Sequence, residues 1–153
     1  MMVGRIEIPH GIRVRIGGLA LAALPDECCG ILLGEGAGEL AIVLDAHSVE
    51  NTHSGDRGRF YAIGPEALLA AHRVARDEGL EVVGFFHSHP SGDARPSVHD
   101  RDTAWPAMSY LIISVGGGGI RELRCWRLGD DGREFVEEEI LYAHRPIRRD
   151  EVH

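Results

Sequence analysis

Two hydrophobic periods alternate along this chain, and the switches between them mark out its elements. Residues 3–8 read as a short strand that Pro9 stops. Ile12, Ile16, Leu19, Ala20, Ala23 and Leu24 then recur at helical spacing up to Pro25. The start of that run, Ile12, Val14 and Ile16, also fits a strand. Residues 29–34 and 40–45 predict strands around a Gly-rich turn at 34–38. A polar loop at 51–59 leads to a short strand at 60–63. The next helix is marked more strongly. Pro65 suits the first helical position, Glu66 favours the positive end of the dipole and Gly79 closes it. Ala67, Ala70, Ala71 and Val74 form its expected apolar face. Residues 82–86 predict a buried strand that runs into His87-Ser88-His89-Pro90, and a short helix starts near Ser97.

Three closing strands are expected at 110–115, 120–128 and 134–141, turned by the glycines of 116–119 and by Asp130-Asp131-Gly132. Strands outnumber helices in a mixed order, which suggests an α/β sandwich rather than a strict βαβ repeat. No repeat or linker divides the sequence, so a single domain is expected over 1–144, with a polar tail at 145–153.

Composition narrows the partners. The 153 residues suffice for one buried core, and 44% apolar with 26% charged residues is ordinary for a globular protein. The net charge is −8, and every one of the sixteen basic residues is arginine. With no basic run, nucleic acid is disfavoured as a partner, because phosphate binding needs clustered cations. The three cysteines form no CxxC pair and their odd count gives no disulfide framework, so a reducing cytoplasm is expected. The longest apolar stretch, 17–24, is too short to span a membrane. It faintly resembles a signal peptide, but Glu7 lies upstream and the run is short.

Chemistry concentrates in residues 87–100, HSHPSGDARPSVHD. Residues two apart on a strand share a side, so His87 and His89 face one way and Ser88 the other. Pro90 ends the strand, and Asp100 follows across a loop that can fold back. Two imidazoles and a carboxylate, with a fourth position left to water, form the ligand set of a catalytic zinc. Zinc lowers the pKa of a bound water to about 7. Ser97 stands one helical step before Asp100 and could donate to an oxyanion, a role worth about 10²–10³ in rate. Glu27, at the edge of the strand that holds 30–33, is the upstream candidate for a carboxylate base.

Each piece has a plainer explanation. An isolated HxH pair usually packs or faces solvent. Ser97 and Asp100 fit a capping box, serine at the N-cap and a carboxylate at N3. A lone Glu27 would be a solvated acid. The weight lies in all five occurring together.

That order and spacing, Glu27 … His87-x-His89-x7-Ser97-x2-Asp100, resembles the JAMM motif of the MPN-domain metallopeptidases. PDECCGILLG (25–34) looks like the family's glutamate-bearing strand. Asn51 and Phe60 stand where small bacterial members often carry Asn and Phe. VVGFFHSHP, RPSVHD, AW (104–105) and SYLIIS continue the likeness.

The resemblance implies the MPN fold, a mixed central β-sheet flanked by helices and related to the cytidine-deaminase-like topology. It implies one zinc per chain held by His87, His89 and Asp100. Glu27 would be the general base and then the acid for the leaving amine, and Ser97 would stabilise the tetrahedral intermediate. Cys28 and Cys29 would be packing residues, since no covalent intermediate is needed. The short loop from Asp100 to Ser109 leaves little room for the insertions that grip ubiquitin chains. The chain therefore resembles the small stand-alone prokaryotic branch. The implied reaction is hydrolysis after the C-terminal Gly-Gly of a ubiquitin-like or sulfur-carrier protein, with an activating enzyme for that carrier as a further expected partner. A glycine tail could slide along a sheet edge into a narrow groove.

Three rivals share parts of this pattern. A RadC-like protein of DNA metabolism has a similar HxHPSG…PS segment, but PDECCGILLG fits the peptidase branch better. A non-catalytic MPN scaffold would usually lack ligands, and none is missing here. A zinc nucleoside deaminase needs HxE and PCxxC elements, which this chain lacks. The other histidines, His10, His47, His53, His72, His144 and His153, show no ligand spacing. His99 should point away from the site.

Overall fold

The computed structural model describes residues 4–36 and 40–142. Ten elements follow in order: β1 (Arg5–Glu7), α1 (His10–Ala23), β2 (Cys29–Glu35), β3 (Leu40–Val49), α2 (Pro65–Asp77), β4 (Glu81–His89), α3 (Val98–Thr103), β5 (Ser109–Gly116), β6 (Gly119–Leu128) and β7 (Phe135–Leu141). The expected tail at 145–153 lies outside the described residues, as do His144, His153 and part of the turn at 34–38.

The strands form one mixed sheet in the order β1-β3-β2-β4-β5-β6-β7, and it closes on itself because β1 pairs in parallel with both β3 and β7. The expected mixed sheet flanked by helices is present, and the sheet in addition closes into a ring. Three residues of β1 make the closure, a non-local pairing too short to leave a strong pattern. β1 covers only Leu40–Ile42 of β3 and Glu139–Leu141 of β7, so the rest of β3 and β7 has no paired strand on the β1 side among the described residues.

Each face of the central strands is covered by a different helix. Leu32, Val83, Phe86, Leu111 and Ile113 pack with Ile16 and Ala20 of α1. Ile31, Leu33, Val82, Phe85 and Tyr110 pack with Ala71 and Ala75 of α2. Burial on both faces explains the continuous apolar runs of β2, β4 and β5. Within α2 the caps agree with expectation: Pro65 opens the helix, Glu66 lies in its first turn, and Gly79 follows it at φ +72°. Ala71 and Val74 of the expected apolar face pack toward the sheet, joined by Leu68 and Ala75, whereas Ala70 is exposed.

A bulge in β4 sets the direction of the site. Leu32 pairs with Gly84 but Leu33 with Val82, so Val83 is the extra residue. Beyond it the strand alternates again, which places Phe85, His87 and His89 on the α2 side. Gly84 sits against the backbone carbonyl of Ser109 on β5, where an added Cβ would collide.

Two expected strands differ. Residues 60–63 form no strand, because Phe60 and Ala62 are bound by a side chain. The Asn51 amide donates to the Phe60 carbonyl at 3.0 Å, and its oxygen accepts from Ala62 N at 3.2 Å. The strand expected at 40–45 runs on to Val49 along the whole of β2.

Candidate metal and catalytic site

The sheet, the loop after it and the N-terminus of α3 bring three side chains to one point. His87 and His89 come from the end of β4, while Ser88 turns into the opposite face. There the Ser88 hydroxyl accepts from Cys28 N at 2.8 Å, and Ser88 N donates to the Cys28 carbonyl at 3.1 Å. This pairing ties β4 to the segment carrying Glu27. Cys28 and Cys29 are both buried, as packing residues should be.

Asp100 arrives through the capping box of α3. Ser97 Oγ accepts from Asp100 N at 3.0 Å, and Ser97 N donates to Asp100 Oδ2 at 2.8 Å. The same Oδ2 stands 3.2 Å from His87 Nε2 and 3.3 Å from His89 Nε2, and the two nitrogens are 3.1 Å apart. Three donor atoms thus form a nearly equilateral triangle. Ligands held tetrahedrally at zinc distances lie about 3.3 Å from one another. The donor chemistry agrees. His89 Nδ1 is 2.7 Å from the Asp93 carbonyl, which can only accept, so Nδ1 carries the proton and Nε2 presents a lone pair to the triangle. This set fits zinc.

Glu27 stands beside the triangle, its carboxylate within 4.8 Å of the ligand atoms of both histidines. It is 4% exposed, and its Oε1 has no hydrogen-bond partner. Asp100 is near enough to share one ion with both imidazoles, whereas Glu27 stands back. Burial pushes the Glu27 carboxyl up to about 8, against the opposing attraction of His89. Asp100 goes the other way. Burial alone would raise it, but His87, His89 and the Ser97 amide hold it far below the carboxylate range. Burial lowers His87. For His89, bonds to Asp100 and the Asp93 carbonyl outweigh burial and raise it.

The five expected residues therefore lie together, with Ser97 the exposed one. Four further residues shape the site. Tyr61 stacks on the His87 ring, and Ser114, Glu122 and Trp126 hold the loop after His89. Tyr61 belongs to the segment misread as a strand. The other three occupy ordinary strand positions and leave no sequence signal. His53 and His99 pack with Phe60, with centroids 5.1 Å and 4.9 Å from its ring. A cavity of about 530 Å³ abuts this wall, lined by Tyr61, Leu68, Phe85, His99, Trp105 and Tyr110 among others.

A closed mixed sheet with helices on both faces, bearing an HxH-and-Asp triangle at the end of a central strand, defines the class. The profile of prokaryotic homologues of the JAB domain matches residues 9–129, and the chain belongs to that family. Among its relatives is a desampylase of Haloferax volcanii, 38% identical over 94 residues, 61% of this chain and 66% of that protein, just under two thirds of its length. Another is a probable TtuB-protein conjugate cleaving protease of Thermus thermophilus, 31% identical over 110 residues, 72% of this chain and 70% of that protein. The fold matches the solution structure of a protein from Desulfitobacterium hafniense with a TM-score of 0.80 at 30% identity, covering 92% of this chain and 94% of that one.

Proposed function

We infer that this chain is a zinc-dependent isopeptidase that hydrolyses the bond after the C-terminal Gly-Gly of a ubiquitin-like or sulfur-carrier protein. The observation that carries the reading is the triangle of His87, His89 and Asp100 with a buried, partnerless carboxyl oxygen of Glu27 beside it. The substrate class follows from relatives named a desampylase and a TtuB-conjugate cleaving protease.

His87, His89 and Asp100 would hold one zinc. Zinc in that position supplies Lewis acidity to the scissile carbonyl and to water. Glu27 takes the proton from the attacking water at its free Oε1 and returns it to the leaving amine. Acid–base help of this kind contributes about 10²–10⁴ in rate. The Ser97 hydroxyl accepts from Asp100 N, which leaves its hydrogen free to donate to the oxyanion. The tail would reach the triangle past Tyr61 and α3. Glycine suits that approach because it adds no side chain. Three buried free thiols are consistent with work in the cytoplasm.

The test is a panel of carrier fusions incubated with zinc-loaded protein and read by intact mass. Cleavage immediately after Gly-Gly supports the reading. Binding of the carrier without cleavage would favour a scaffold role.

A further inference from the structure

The loop between His89 and α3 is fastened at two residues, Gly92 and Ala94, by three side chains of β5 and β6. Ser114 Oγ on β5 donates to the Gly92 carbonyl at 2.6 Å. Glu122 Oε1 on β6 accepts from Ala94 N at 2.7 Å, and Trp126 Nε1 donates to the Ala94 carbonyl at 2.8 Å. Between these anchors lies Asp93, whose carbonyl takes the proton of His89 Nδ1 at 2.7 Å. Two of the anchors share one row of the sheet with the histidine: His89 pairs with Ser114, and Ser114 with Glu122. Gly92 bends at φ +98°, a turn favouring glycine, and Ala94 is fully buried. Arg124 steadies the outermost anchor through its 3.3 Å contact with the other Glu122 oxygen.

A surface loop with glycine and proline would ordinarily sample many conformations. Here it has bonds on both sides of the one carbonyl that touches the site. We propose that Ser114, Glu122 and Trp126 are positioning residues for metal binding: through the 92–94 loop they fix the Asp93 carbonyl, which holds His89 with its proton on Nδ1 and its lone pair on Nε2 facing His87 and Asp100. None of the three touches the triangle. They act through one backbone oxygen, and partners of that kind typically change metal affinity by about 10–100-fold.

The inference rests on the zinc site proposed above, and the experiment separates the two. Zinc affinity is measured by competition with a chromophoric chelator for the unsubstituted chain, Trp126→Phe, Ser114→Ala and Cys125→Ala. The last loses buried packing from β6 without touching the loop. Trp126→Phe and Ser114→Ala are expected to bind zinc about 10–100-fold more weakly. In the metal-free protein the ¹⁵N signals of His89 should show its Nδ1-protonated form depleted, and on a cleavable substrate kcat should fall while KM holds. Cys125→Ala should keep its zinc affinity despite lower stability. If the unsubstituted chain binds no zinc, the site reading itself fails. If it binds zinc and Trp126→Phe and Ser114→Ala bind equally well, or Cys125→Ala weakens binding as much as they do, the positioning role is overturned alone.

Discussion

Tyr61 lies flat on the ring of His87, with centroids 4.3 Å apart and planes inclined by 20°. His87 is almost fully buried, and its Nδ1 has no hydrogen-bond partner. The ring is therefore oriented by contact on its face rather than by a bond at its far nitrogen. Tyr61→Phe keeps that face and should retain zinc. Tyr61→Ala removes it and should weaken zinc by about tenfold or more, the scale on which supporting contacts tune metal sites. Chelator competition on the two variants checks this.

Glu27 and Asp100 should separate binding from chemistry. Glu27→Ala should keep stoichiometric zinc and lose about 10²–10⁴ in rate. Asp100→Ala should lose both, since it removes a corner of the triangle. Elemental analysis beside cleavage of a carrier fusion distinguishes them, and full activity in Glu27→Ala would remove Glu27 from the base role.

The metal-free protein should also carry a pH signature of Glu27. Its folded value, about 8, lies above the unfolded value near 4.5, so the buried group favours folding in its protonated form. That contribution is complete below about pH 4.5 and is lost as pH rises through 8, a swing on the order of a few kcal/mol. Glu27→Gln cannot ionise, so its stability relative to the unsubstituted protein should climb between pH 5 and pH 9. Urea unfolding of both proteins across that window, with chelator present, measures the difference.

The three cysteines should be silent in the native state. All are buried; burial, with Cys28 and Glu27 adding to it, pushes the Cys29 thiol up to about 12, and Cys125 is raised well above its ordinary value. A disulfide reagent at pH 8 should titrate no thiol in the folded protein and three after denaturation.

Gly84 should tolerate no side chain. A Cβ there meets the Ser109 carbonyl, so Gly84→Ala must push β5 from β4, at a cost of about 1–3 kcal/mol or more. Chemical denaturation measures the loss, and unchanged stability would mean the two strands can part freely.

The legible parts of this molecule were those written in local chemistry. Pro65, Glu66 and Gly79 bound α2 by rules that need no tertiary context, and the two-residue period put both histidines on one side. Ser97 and Asp100 announced a capping box, which the structure contains. What the pattern hid was non-local. The closure through β1 depends on partners more than thirty residues away in sequence. The bulge at Val83 exists only relative to β2. Residues 60–63 read as a strand in sequence, but Phe60 O and Ala62 N bond to the Asn51 side chain in place of a neighbouring strand. Ser114, Glu122 and Trp126 are unremarkable until the loop they hold is seen.

The capping box has a last consequence. A helix of six residues, Val98–Thr103, is far too short to persist by itself. Its opening bond is the one from Ser97 N to Asp100 Oδ2, the same oxygen that faces both imidazoles. Unwinding the first turn of α3 would therefore release the oxygen that faces both imidazoles. Exchange of the Ser97 amide proton with solvent becomes a gauge of whether the site is assembled, read from a backbone position that takes no part in ligation.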